Sequence, residues 1–246
     1  MIVFTENNVK FTVYLSIFIQ ILTGILPLPA LFLKTSNENL VVKDVLKLET
    51  LVQFVEGLFY ILVVFFSISI SSLATYRYFD WVITTPFMLL STMIFMEWSN
   101  HNNNKNKNIS KNKNNVNTVI TFMDTVKKYK KLFITIGLLN FVMLLFGFLG
   151  ETNQMPNMLA VILGFIPFAY MFGLMYTNFV KDTPERISSK ENKNLFYFMS
   201  SIWSLYGVAA FFSANPKNIM YNFLDIIAKN FYGLFLSYKL YQVREK

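Results

Sequence analysis

Apolar residues recur along the chain in seven runs, each long enough to cross a bilayer as a helix, which takes roughly 20 residues. The runs fall near 11–33, 49–71, 78–98, 132–150, 155–180, 195–212 and 219–240, with polar or turn-forming links such as Glu151-Thr-Asn-Gln and Asn215-Pro216 between them. This pattern predicts an all-α membrane protein, one domain over residues 1–246 folded as a seven-transmembrane-helix bundle, with a polar loop at 99–131. The first run does not read as a cleavable leader: it is too long, contains Pro27 and Pro29, and has no basic stretch before it beyond Lys10.

Within the runs, polar residues keep helical spacing. Ser16, Gln20 and Thr23 recur at i, i+4, i+7, as do Glu49, Gln53 and Glu56, so each set occupies an arc of about 60° on its helix. Arg77, Asp80, Thr84 and Ser91 form a similar stripe on the third span, and Asn222, Asp225 and Lys229 on the seventh. Hydroxyls and amides in such stripes can simply bond neighbouring helices. Ionisable groups inside a span are costly and mark functional sites. Asp225 and Lys229, four apart, share a face and could form a self-neutralising pair.

Composition agrees with a membrane protein: 54% of residues are hydrophobic and 15% charged, against about 25% charged in an average chain. The net charge of +8 could suggest nucleic acid, but basic residues of membrane proteins gather in cytoplasmic loops, and eighteen of the 22 Lys and Arg fall on one side, in alternate links and the C-terminal tail. Lys10 and Lys217 lie on the other side, and Arg77 and Lys229 lie at or inside spans. By the positive-inside rule the N-terminus is extracellular and the C-terminus cytoplasmic, so the expectation is a multi-pass integral membrane protein in contact with lipid and without a nucleic-acid partner. No cysteine is present, which excludes disulfides, thiolate metal sites and a cysteine nucleophile. His101 is the single histidine and has no acidic cluster at ligand spacing, so no metal is expected. Neither a phosphate-cradling glycine loop nor a nucleophile–histidine arrangement occurs, and the chain does not read as an enzyme.

Arg77, Asp80, Trp81, Thr84, Thr85 and Pro86 resemble the third-helix signature of the microbial rhodopsins, and Asp225, Ala228, Lys229 and Gly233 resemble the end of their seventh helix. The resemblance implies all-trans retinal bound covalently to Lys229 as a protonated Schiff base. It implies Asp80 and Asp225 as counterion and proton acceptor, with Arg77 and Thr84 in their network. The retinal pocket would include Trp81, Thr85, Pro86, Trp203 and Tyr206. Gly207 stands where the family has a proline after the tyrosine, and Ala210 replaces a second pocket tryptophan, which changes the expected pocket shape.

The triplet Asp80, Thr84, Ser91 resembles that of the rhodopsins of large DNA viruses (group 1, channelrhodopsin-like), described as light-gated cation channels, and glutamates on the second helix are a channelrhodopsin feature. Ser91 occupies the position at which pumps of the family carry a carboxylic proton donor. A hydroxyl relays a proton but does not store one near neutral pH, and no acid is expected behind Lys229. The leading expectation is therefore a light-gated channel for monovalent cations, its path lined by Ser16, Gln20, Thr23, Glu49, Gln53, Glu56 and Asn222. A weak outward proton pump is one alternative. A photosensor docking a partner at the 99–131 loop is another. Glu97 is expected near the inner mouth, and a homo-oligomer is compatible with the sequence.

Overall fold

The computed structural model describes residues 4–109, 119–183 and 186–244. Its helices are α1 (Glu6–Ile25), α2 (Leu40–Phe65), α3 (Ile70–Ile109), α4 (Phe122–Lys128), α5 (Lys130–Glu151), α6 (Asn157–Met175), α7 (Lys190–Ala209), α8 (Ala214–Asp225) and α9 (Phe231–Gln242). A π-turn at Tyr176–Val180 extends α6, and another at Ile226–Asn230 joins α8 to α9 into one rod. With the short α4 set aside, these make the seven rods that the apolar runs predict.

The boundaries differ from the predicted spans for identifiable reasons. Thr5 caps α1 through a reciprocal capping box with Asn8, which starts the helix at Glu6. Pro27 and Pro29 end it early and force the 3-10 turn Leu28–Phe32. The helix α2 begins well before residue 49 because Val41, Val42, Val45 and Leu46 are all buried against the core. Ser67, with φ of 47°, makes the tight reversal into α3.

The largest correction concerns the predicted 99–131 loop. The helix α3 continues to Ile109, and its polar extension is tied to neighbours. Trp98 Nε1 donates to the Glu38 carbonyl (3.1 Å), Asn100 Nδ2 to Phe179 (2.8 Å) and Asn103 Nδ2 to Ile187 (3.0 Å), while Lys105 pairs with Glu38 at 2.7 Å. An Asn-rich stretch that would be a poor helix alone is held by these contacts. Further on, α4 and the start of α5 occupy 122–131. The rest of that predicted loop, 110–118, lies outside the described residues.

Polarity is inverted relative to a water-soluble bundle. Phe11, Phe18, Phe54 and Phe65 are well over half exposed, whereas Ser16, Glu49, Glu56, Arg77 and Asp225 are fully buried. Large apolar surface is tolerated outside when the surroundings are lipid, and the polar stripes then have only each other to bond. Among the described residues, five helices are long and apolar enough to cross a membrane by themselves. The two remaining rods do so less plainly because α7 opens on Lys190-Glu-Asn-Lys-Asn and α8–α9 carries Asn222, Asp225 and Lys229.

The rods alternate in direction. Asn215 Nδ2 reaches the Phe4 carbonyl (2.9 Å), bringing the starts of α1 and α8 together, and Asn39 Nδ2 reaches the Val243 carbonyl (3.2 Å) at the opposite end. At the first end, Lys217 is bound to Glu151 at 2.8 and 2.9 Å, joining α8 to the end of α5.

Small residues allow α5 and α6 to touch closely. A Cβ on Gly150 would lie 2.6 Å from that of Ala160, whereas one on Gly137 meets nothing within 4 Å. Gly150→Ala is expected to destabilise the protein by about 1–3 kcal/mol through overpacking, seen as a lower thermal unfolding midpoint in detergent. Gly137→Ala should leave the midpoint unchanged or raise it slightly, and equal behaviour of the two variants would contradict this packing.

Candidate functional site

The seventh rod places Lys229 inside the π-turn Ile226–Asn230, with its side chain 2% exposed. Such turns widen the helix locally and recur at functional positions. Three carboxyl groups from three helices surround the ammonium. Asp80 Oδ2 of α3 is 2.7 Å away, Glu56 Oε1 of α2 is 3.2 Å away, and Asp225 Oδ1 of α8 is 3.8 Å away. A buried cation left alone would cost many kcal/mol, so the enclosing acids are a condition of its burial.

The acids differ in how completely they are bonded. Asp225 Oδ2 accepts from Arg77 Nη1 (2.6 Å) and the Tyr60 hydroxyl (2.9 Å), and Oδ1 accepts from the Tyr206 hydroxyl (2.8 Å) and, more weakly, Trp81 Nε1 (3.4 Å). Arg77, fully buried, also donates to the Tyr60 hydroxyl at 2.7 Å and, through Nη2, to Asn222 Oδ1. Asn222 continues to Thr12 Oγ1 at 2.7 Å and accepts on its carbonyl from Ser16 at 3.5 Å. Asp225 is thereby locked. By contrast, Asp80 Oδ1 and Glu56 Oε2 have no hydrogen-bond partner.

Away from that ionic cluster, Lys229 also faces a cavity lined by Trp81, Thr85, Met88, Phe168, Trp203 and Tyr206, among other mostly apolar side chains. Trp203 meets Phe172 edge-on at 6.0 Å between ring centres, and Trp81 meets Tyr206 at 5.3 Å. The buried Trp203 Nε1 has no partner within the protein. Gly207 lies against Phe165, where a Cβ would be 2.5 Å from the ring, so the residue in place of proline is matched by an aromatic of α6. Thr85 donates to the Trp81 carbonyl (2.6 Å) and accepts from Asn140 of α5 (2.8 Å).

Most residues singled out in the sequence converge here, with four differences. Pro86 is half-buried in α3 and does not line the cavity. Thr84 turns its hydroxyl back to the Asp80 carbonyl (2.9 Å) and does not bond the carboxylates. Thr23 likewise bonds its own helix, at the Ile19 carbonyl (2.8 Å). Ser91 is not the sole polar group on its side of Lys229, because its hydroxyl donates to Glu49 Oε1 of α2, and the fully buried Glu49 has Oε2 without a partner. The expected lack of an acid behind Lys229 is therefore overturned: the acid comes from the neighbouring helix.

Sequence reasoning placed Glu56 only along an ion path and missed Tyr60, Asn140 and Tyr221. The signal for Tyr60 was present, since it is four residues after Glu56 and continues the stripe Glu49, Gln53, Glu56. Tyr221 packs against Trp81 at 5.2 Å and under the Arg77 guanidinium at 5.9 Å. Gln20 and Gln53 line a separate cavity between α1 and α2. Glu97, near the far end of α3, pairs with Lys128 at 2.5 Å and accepts from the Tyr129 hydroxyl at 3.0 Å.

A family description of bacteriorhodopsin-like proteins matches residues 11–243. The chain belongs to the bacteriorhodopsin-like family. It is thus an integral multi-pass membrane protein with the microbial rhodopsin fold, from a family of retinal photoreceptors that hold the chromophore through a lysine and act mainly as light-driven transporters or sensors. Among solved structures it resembles the viral rhodopsin OLPVRII, with a TM-score of 0.74 and 26% identity over 96% of this chain and 99% of that one. The proton-pumping rhodopsin of the marine alga Acetabularia acetabulum matches with a TM-score of 0.67 and 17% identity, over 98% of each chain. Exiguobacterium sibiricum rhodopsin matches with a TM-score of 0.69 and 14% identity, over 96% of this chain and 97% of that one. The two matches of lower identity speak for the fold alone. No curated protein sequence matches the chain.

The ionic lock makes a prediction independent of any ligand. Asp225→Ala leaves Arg77 buried without its carboxylate and is expected to cost about 3–5 kcal/mol, read as a fall in the thermal midpoint of the purified protein. Asp225→Asn keeps acceptor and shape and should cost less. A midpoint unchanged in both would remove Asp225 from the lock.

Proposed function

We propose that the protein is a retinal photoreceptor with Lys229 as its attachment residue, and that it works as a light-gated channel for monovalent cations. The fit of retinal is supported by a buried lysine that faces an aromatic-lined cavity on one side and carboxyl groups on the other. Retinal on Lys229 would supply visible absorption and a light-driven all-trans to 13-cis isomerisation that displaces the positive charge at Nζ. Trp81, Thr85, Trp203 and Tyr206, which line the cavity, would hold its polyene.

The residues around Nζ divide the work. Asp225, holding four donors, keeps Arg77 and the nearby charge in place. Asp80 accepts only from Lys229 and has Oδ1 free, so it is the carboxylate we assign as proton acceptor when the charge moves.

The observation that carries the channel reading is a single buried seam of incompletely bonded acids. Glu49 Oε2, Glu56 Oε2 and Asp80 Oδ1 are all without partners, and fully buried Asn222 and Ser16 belong to the Arg77 network beside the cluster. Each such atom costs about 1–3 kcal/mol unless water or an ion reaches it. In the dark the seam would be closed by the Tyr60–Arg77–Asn222 lock at one end and by Glu49–Ser91 at the other. With the N-terminus outside, as the distribution of Lys and Arg suggests, the first barrier is the extracellular one.

The partnerless Glu49 oxygen also favours a second reading, an outward proton pump in which Glu49 returns the proton through Ser91. Photocurrents recorded across voltage in two cation gradients separate the two. A channel gives currents whose reversal potential follows the gradient and which vanish in Lys229→Ala. Currents that remain outward at every voltage would exclude the channel and leave the pump.

A further inference from the structure

The first two helices carry the same short pattern, Gln20-x-x-x-Gly24 on α1 and Gln53-x-x-x-Gly57 on α2. Residues four apart share a helix face, and the two faces meet. The carboxamide oxygen of Gln53 lies 4.0 Å from where a Cβ of Gly24 would be, and that of Gln20 lies 3.8 Å from the equivalent point on Gly57. Each carboxamide oxygen is thus in ordinary van der Waals range of the opposing glycine, and the two glutamines face one another across α1 and α2. The helices do not close over them. A cavity of about 370 Å³ remains, lined by both glutamines and both glycines.

The cavity opens towards lipid. Its apolar walls include Ile21, Ile25, Phe54 and Ile61, each at least half exposed on the outer surface. Its polar lining includes Gln20 and Gln53, 4% and 5% exposed: Gln20 Nε2 and Oε1 both have no hydrogen-bond partner, while Gln53 Nε2, likewise unpartnered, lies against Gly233 of α9. Buried amide groups are normally bonded, and a few convergent polar groups at the base of an apolar pocket of this size are the usual composition of a small-molecule site. No ionisable residue lines it, and it shares no lining residue with the cavity at Lys229.

We propose that this fissure binds a neutral, membrane-dissolved amphiphile, an aliphatic body with a single hydroxyl head, entering sideways from the bilayer. The hydroxyl accepts from an amide Nε2 and donates to Gln20 Oε1, and the aliphatic part lies between α1 and α2. A charged head is disfavoured by the uncharged floor. A purely aliphatic tail would leave the amides unbonded.

The test uses the retinal-loaded protein in phosphatidylcholine vesicles and a photoreactive aliphatic alcohol, a diazirine on an octanol chain, alongside the diazirine alkane of the same length. Illumination followed by peptide mass spectrometry is expected to place alcohol adducts within 17–28 and 50–61, displaced by unlabelled octanol, with the alkane labelling these segments no more than other lipid-facing helices. In Gln20→Leu with Gln53→Leu, labelling of these segments should fall about tenfold, the loss of a hydrogen bond, while the visible band persists. Alcohol labelling spread over all exposed helices, equal labelling by the alkane, or crosslinks to a second copy of the chain at these peptides would each overturn the proposal. If the double variant fails to fold, octanol competition on the native protein decides the matter alone.

Discussion

A lysine ammonium buried at 2% exposure, within 4 Å of three carboxyl groups, is the constraint on which the interior depends. In a medium without water, a lone charge of this kind would not be retained. The carboxylates need their own partners, and those partners need theirs. Asp225 recruits Arg77, Tyr60 and Tyr206, Arg77 recruits Asn222, and Asn222 recruits Thr12. A network begun by one cation therefore sets which faces of α1, α2, α3, α7 and α8 point inward.

The network is unevenly satisfied, and the unevenness has a direction. On the side of Asp225 and Arg77, every carboxylate oxygen is occupied and the guanidinium lies 5.3 Å from the Tyr60 ring centre. Along α2, Glu49 and Glu56 each have an oxygen without a partner, and Asp80 on α3 has another. Fully bonded groups hold geometry, whereas incompletely bonded ones can take up a proton, water or an ion at small structural cost. The proposed division follows from this: a rigid lock beside a seam that can change its occupancy.

Much of this was legible in the sequence because helical spacing is strict. The seven runs and the stripes follow from periodicity and from the cost of charge in lipid, whereas the meeting of Arg77 and Asp80 with Asp225 and Lys229 was read only through the family resemblance. Contacts between helices were not legible. Glu49 and Ser91 are 42 positions apart, and nothing in either run states that one faces the other. Glu56 reaches Lys229 across a register that only packing sets. The extension of α3 through Asn100 and Asn103 was missed for a related reason: asparagine disfavours helix interiors locally, and carbonyls at Phe179 and Ile187 reverse that preference. Pro86 and Thr84, carried over by position, sit on the right helix but point their chemistry elsewhere.

The claim on which the rest stands is that Lys229, and no other of the lysines, carries the chromophore. Reductive trapping with borohydride after addition of all-trans retinal, followed by digestion and mass spectrometry, reads the attachment site directly. The account predicts one retinyl adduct, on the peptide containing Lys229, and none in Lys229→Ala. An adduct at a lysine outside the buried cluster, with Lys229 unmodified, would contradict it.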